Sequence, residues 1–122
     1  MRTTDLSNLK ILIVDDDTDI VELMEEELQL VGHDTYKAFS GNEAITLLKN
    51  QNVDVIISDF KMPNGSGMDL LNFVNRHMSN KPDFYFLSGQ TDVTLTEMKE
   101  AGAKQLFVKP LNISELITAI SE

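Results

Sequence analysis

The 122-residue chain has no cysteine, no tryptophan, only three prolines, and half as many Lys and Arg (10) as Asp and Glu (20). Without cysteine there are no disulfides, no thiolate zinc sites and no thiol nucleophile. The longest uninterrupted apolar runs, Ile11–Val14 and Phe84–Leu87, are four residues each. A membrane-spanning helix needs about twenty such residues and a secretory signal an apolar core of about seven or more, so both are excluded and the expected compartment is the cytoplasm. The shortage of basic residues argues against direct nucleic-acid binding, which relies on Lys and Arg to displace counterions from phosphates.

An apolar content of 42% in 122 residues is enough for one domain with its own core. The formal charge of −10 is unevenly placed. Asp15, Asp16, Asp17, Asp19, Glu22, Glu25, Glu26 and Glu27 put eight carboxylates in thirteen residues and account for most of the excess.

Residues 1–8 read as a loose polar leader and 9–122 as one domain. Lys10–Val14 is short, apolar and β-branched, which suits a strand buried on both faces. Ile20, Leu23, Met24, Leu28 and Val31 then fall at helical spacing, with Gly32 as the stop. Asp34–Ala38 is a weaker strand, and Ser40 with Glu43 forms a capping box for a helix through Leu48. Val53–Ser58 is a further buried strand. The stretch from Pro63 to Gly67 is a loop, followed by a helix marked by Leu70, Leu71, Phe73, Val74 and Met78. Asp83–Leu87 is another strand, and Val93–Ala101 a thinly apolar helix with three nearby threonines, ended by Gly102. Gln105–Val108 is the last strand, and Asn112 with Glu115 caps a final helix carrying Ile113, Leu116, Ile117 and Ile120.

Five strands alternating with five helices imply an α/β fold, a doubly wound parallel (βα)5 sheet with right-handed crossovers. Ligands of such sheets sit beyond the carboxyl ends of the strands. There stand Asp15, Asp16 and Asp17 after the first strand, Asp59 after the third, Ser88 after the fourth and Lys109 after the fifth. Each alone has an ordinary explanation: acids before a helix interact favourably with its positive end by about 0.3–1 kcal/mol. Together they converge on one edge. Three neighbouring carboxylates raise one another's pKa, and a hard divalent cation with oxygen ligands relieves that conflict. The cation and Lys109 would neutralise a phosphoryl group, Ser88 would donate a hydrogen bond, and a carboxylate can itself attack phosphorus.

The motifs Ile11-Leu-Ile-Val-Asp-Asp-Asp17, Val55-Ile-Ile-Ser-Asp-Phe-Lys-Met-Pro63, Gly67, Leu87-Ser-Gly89 and Phe107-Val-Lys-Pro110 resemble the receiver domains of two-component response regulators, the CheY-like family, from Lys10 to Ser121. The resemblance implies a flavodoxin-like sheet in the order 2-1-3-4-5 with Asp59 as phosphoacceptor. It implies Mg2+ (replaceable by Mn2+) held by Asp16, Asp59 and the Lys61 backbone carbonyl, with Asp15 acting through water or behind the ligands. Ser88 matches the switch hydroxyl and Lys109 the lysine that senses the phosphoryl group, with a cis Lys109–Pro110 bond. The implied role is a signalling domain, not an enzyme, that promotes its own phosphorylation and dephosphorylation. Its partners would be a sensor histidine kinase or histidine phosphotransferase upstream and a protein target or effector domain downstream. The first helix would form part of the kinase-docking surface, and the face built from the last two strands and their helices would switch.

Some positions depart from the common pattern. Leu106 stands where many members carry an aromatic switch residue, three before the lysine, and Phe107 should point to the opposite face. Ser66 replaces a frequent acid before Gly67. Lys61 and Gln90 flank the path of a hydrolytic water and leave the phosphoryl lifetime open. The other readings are weaker. A flavin phosphate would be repelled by Asp15-Asp16-Asp17. A Mg2+-dependent phosphatase or phosphotransferase with an aspartyl intermediate would show a second acid at position 61, which is Lys. A receiver-like interaction module that is never phosphorylated would have lost the acceptor, the acidic pair or the lysine. The sequence leaves open a stand-alone regulator or part of a larger protein, and its oligomeric state.

Overall fold

The short apolar runs become five parallel strands. The computed structural model describes residues 8–89, 95–109 and 112–121. Within them β1 (Lys10–Val14), β2 (Asp34–Ala38), β3 (Val55–Asp59), β4 (Asp83–Ser88) and β5 (Gln105–Val108) alternate with α1 (Thr18–Leu30), α2 (Gly41–Leu48), α3 (Gly67–His77), α4 (Leu95–Glu100) and α5 (Ile113–Ser121). The sheet order is β2-β1-β3-β4-β5, the expected one. Ile11 pairs with Val55, Val55 with Asp83, and Tyr85 with Gln105 across successive ladders.

Alternation along the strands separates two apolar layers. On one face Leu12, Val14, Ile56, Phe84 and Phe86 pack with Ala44 and Leu48 of α2, Leu70, Leu71 and Val74 of α3, and Met98 of α4. On the other Ile11, Ile13, Val55, Ile57, Tyr85 and Leu87 pack with Val21, Met24 and Leu28 of α1 and Leu116 and Ile120 of α5. The central strands are covered on both sides, hence their unbroken apolar runs. The edge strands β2 and β5 mix exposed and buried positions.

Several expected boundaries shift for local reasons. Val53 is buried but lies outside the ladder, because Asp54 closes the sheet's lower edge. Its N–H donates to the Lys10 carbonyl (2.7 Å), and its carboxylate accepts from the Lys10 N–H (2.8 Å). Asp59 and Ser88 are thus the last residues of their strands, not the first beyond them. Ile20, Met24 and Leu28 pack inward as expected and Val21 is buried with them, whereas Leu23 is 52% exposed and Val31, just past α1, 43%. Glu22 and Glu26 face solvent, and Glu25 pairs with Lys37 on β2 at 3.2 Å.

The capping box is the other exchange. Ser40 Oγ accepts from the Glu43 N–H, but the Glu43 carboxylate accepts from the Phe39 N–H, not from Ser40's own. The reciprocal box closes instead at Ser66, which accepts from Asp69 N–H while donating its N–H to the Asp69 carboxylate. The final helix begins as expected, Asn112 Oδ1 accepting from Glu115 N–H. Most of the leader, Gln90 to Thr94, and Pro110, on which the expected cis bond falls, lie outside the described residues.

The loop between β3 and α3 is clasped to the start of α2. Gly41 N–H donates to the Gly65 carbonyl (2.9 Å) and Asn42 N–H to that of Asn64 (3.1 Å). Gly65 has φ +106°, and a Cβ built on Gly41 would meet the Gly65 carbonyl oxygen at 2.6 Å. Gly67 is tighter still: a Cβ there would meet the Asp59 carbonyl oxygen at 2.4 Å and the Phe86 ring at 2.8 Å. Because one of those atoms is backbone, relief requires β3 and α3 to part. Gly67→Ala should lower stability by about 1–3 kcal/mol, measured as a lower urea midpoint at unchanged slope.

Candidate functional site

Buried polar side chains concentrate at the carboxyl ends of the central strands: Asp15, Ser58, Asp59 and Ser88. The direction of β1 carries Asp15 into the interior, where it is 0% exposed. Its Oδ1 accepts from the Asp17 N–H (3.0 Å). Its Oδ2 accepts from Lys109 Nζ (3.1 Å). Asp17 caps α1 by accepting from the Asp19 and Ile20 N–H groups, which leaves Asp16 exposed between them.

Asp59 ends β3 and is 8% exposed. Its Oδ1 accepts from the Phe60 N–H at 2.9 Å, and its Oδ2 lies 3.4 Å from Lys109 Nζ. Lys109 thus bridges acids from two strands. It is held from the backbone side as well, because its N–H donates to the Ser88 carbonyl (2.9 Å). Ser88 is buried one position beyond Leu87, the register partner of Asp59. Lys61 lies in the following loop with an exposed side chain.

The electrostatics follow from burial. Removal from water pushes the Asp59 carboxyl up from its ordinary 3.8 to about 6, and the charge of Asp15 adds to the rise while Lys109 opposes it. Burial likewise raises Asp15, against the Asp17 N–H and Lys109. Burial would lower Lys109, but its bond to Asp15 and the charges of Asp15 and Asp59 prevail and raise it. One carboxylate oxygen from each of Asp15, Asp16 and Asp59 lies within 4.8 Å of the others. Lys109 pairs with two of these three acids, Asp15 and Asp59. Two donors are buried and one is open to water, an all-oxygen set whose chemistry fits a hard cation such as Mg2+ that retains water ligands.

Of the residues expected from the sequence, the fold gathers Asp15, Asp16, Asp59 and Lys109 into one cluster, with Ser88 at the adjoining strand end. A groove of about 590 Å³ lined by Lys37, Asn42, Glu43, Thr46, Leu47 and Asn50 shares no residue with this cluster. Phe60 was missed as a site residue; a backbone donor carries no side-chain signature, and only its place after Asp59 pointed to it. The Ser66–Asp69 box did have a legible S-x-x-D signal.

Residues 11–121 match the family described as response regulator receiver domain. The response regulator protein PilR of Pseudomonas aeruginosa is 35% identical over 91% of this chain, which spans 25% of PilR's length. The receiver domain of Francisella response regulator 1452 superposes with a TM-score of 0.82 at 33% identity, covering 93% of both chains. Response regulator protein TrrA of Thermotoga maritima, solved in complex with Mg2+-BeF, does so with 0.81 at 28% identity, over 92% of this chain and 96% of that one.

The raised Asp59 pKa has a definite sign. Between about pH 4 and 6 the folded state binds a proton that the unfolded state has released, so stability falls as pH rises through that window. Without divalent cations the ionised carboxyl costs the fold about 3 kcal/mol at neutral pH. Asp59→Asn should therefore raise the free energy of unfolding at pH 7.5 in EDTA by up to that amount, measured by urea denaturation, with the gain gone below about pH 4.

Proposed function

Because this chain belongs to the response regulator receiver domain family, we propose that it accepts a phosphoryl group on Asp59 and signals by the change that follows. The observation that carries this reading is the single ammonium of Lys109 reaching both Asp15 (3.1 Å) and Asp59 (3.4 Å) beside the exposed Asp16. The donor would be the phosphohistidine of a sensor kinase or phosphotransferase, or a small acyl phosphate.

An Asp59 oxygen attacks phosphorus. The new P–O bond forms as the P–N bond of phosphohistidine, or the P–O bond of the acyl phosphate, breaks, and the leaving group departs with the electron pair. A loose phosphoryl transition state needs positioning and neutralisation more than covalent help. Asp59 is positioned by its place at the end of a buried strand and by the Phe60 N–H. Lys109 turns from Asp15 and Asp59 toward the phosphoryl oxygens, and Ser88 donates its hydroxyl to one of them. Asp16, Asp59 and the Lys61 carbonyl would hold Mg2+, with Asp15 behind them through water. When bound, the ion supplies the positive charge that lets the acids and the incoming phosphoryl group share one site. The same arrangement serves the return step, in which water attacks phosphorus and Asp59 leaves as carboxylate. Mn2+ would serve in place of Mg2+.

The downstream element is a protein target or an effector domain, since the chain matches one quarter of PilR. Among the described residues no helix is long and apolar enough to cross a membrane, in keeping with a cytoplasmic role. Incubation with acetyl phosphate and Mg2+ should add the mass of one phosphoryl group. Asp59→Asn, or EDTA in place of Mg2+, should abolish the gain in intact-mass measurement. An Asn variant modified to the same extent would overturn the assignment.

A further inference from the structure

Leu106 raises the question of how a change at Asp59 reaches the β4–β5 face. Leu106 is partly buried and packs against the layer that holds Phe84, Phe86 and Met98, whereas Phe107 lies in the opposite layer. Neither presents a ring toward the side on which Ser88 lies. A ring does stand next to the acceptor. Phe60 meets Phe86 edge-to-face, with centroids 5.5 Å apart and planes at 72°. Phe86 in turn lies 4.9 Å from Phe84, is fully buried, and pairs with Leu106 across the β4–β5 ladder.

The backbone of Phe60 is tied to both sides of the chemistry. Its N–H is shared between Asp59 Oδ1 and the Leu87 carbonyl of β4, both at 2.9 Å. Its own carbonyl accepts from the Gly67 N–H at 3.0 Å. Converting the carboxylate to an acyl phosphate weakens the oxygen as an acceptor, because a charge-assisted hydrogen bond becomes a neutral one. The shared N–H then shifts toward Leu87, and the ring moves with its backbone. Gly67 leaves Phe86 no room on one side, since even a Cβ there would lie 2.8 Å from the ring. Displacement is therefore directed toward β5 and Met98 of α4. Close-packed interiors pass such shifts on as discrete repacking.

We propose that Phe60, through its contact with Phe86, transmits the state of Asp59 to β5 and α4, the part that a ring on β5 would otherwise play. This rests on Asp59 being the acceptor, and the test separates the two claims. Phosphoryl uptake is read by intact mass with acetyl phosphate and Mg2+. Transmission is read by amide exchange in residues 95–108 with and without beryllofluoride and Mg2+. Phe86→Leu, and Phe60→Leu, which changes only the ring and keeps the backbone N–H that Asp59 uses, should take up the phosphoryl group yet lose at least about five-fold of the wild-type exchange response. Phe60→Tyr should retain the response. So should Phe73→Leu, a substitution in the same layer away from Asp59, which controls for loss of stability. A full response in Phe60→Leu, an equal loss in Phe73→Leu, or loss of uptake itself in Phe60→Leu would overturn the proposal. So would a wild-type protein that is phosphorylated without any exchange response, which would leave the acceptor assignment standing. A wild-type protein that takes up no phosphoryl group removes the acceptor assignment and this proposal together.

Discussion

One lysine holding two buried acids apart is the interaction on which the rest of the structure depends. Asp15 and Asp59 are brought in from water by strands whose apolar residues leave the backbone nowhere else to go; burial raises both pKa values, and the charge of Asp15 raises Asp59 further. Lys109 is the cation that bridges both. It comes from the far edge of the sheet, so the pairing forms only when β1, β3 and β5 are all in place. The native cluster packs three carboxylates together while Lys109 bridges two of them, and repulsion persists, since the charge of Asp15 still raises Asp59. That residual repulsion is the thermodynamic incentive to admit a cation or to rearrange once charge is added.

The parallel sheet creates this situation by geometry. All five strands point one way, so their ends collect on one edge, and only the three central strands carry that edge into the interior. The helices contribute less to chemistry than to enclosure. α1 begins on the Asp17 cap immediately beyond the acids, and α3 begins where Gly67 lies against Asp59. Both helix starts thereby fix loops whose side chains would otherwise wander.

Where local pattern and tertiary context agreed, the sequence was legible to the residue. Lys10–Val14, Asp34–Ala38 and Gln105–Val108 are strands with the expected limits, because each is a short alternating or apolar run that opens on a polar residue. The third strand was displaced by Asp54, whose carboxylate satisfies a neighbouring strand's N–H, a long-range bond that no local rule anticipates. Leu23 was read as core from its spacing alone. Val21 takes the buried place instead, a choice made by packing on the sheet that spacing alone does not encode. At the site, the acids and the lysine were legible because strand ends converge. The bridging of two acids by one lysine, and the shared N–H of Phe60, depend on distances of a few tenths of an ångström and were not.

The clasp between the start of α2 and the loop after β3 has a consequence for variation among sequences. Gly41 and Gly65 are 24 positions apart, yet a side chain on Gly41 would run into the Gly65 carbonyl, and one on Gly65 would run into Asn42 beside Gly41. Neither can be replaced while the two backbone segments stay where they are. Lineages that alter one should show a compensating change in the length or residue types of the other's loop, so the pair should drift as a single inherited unit.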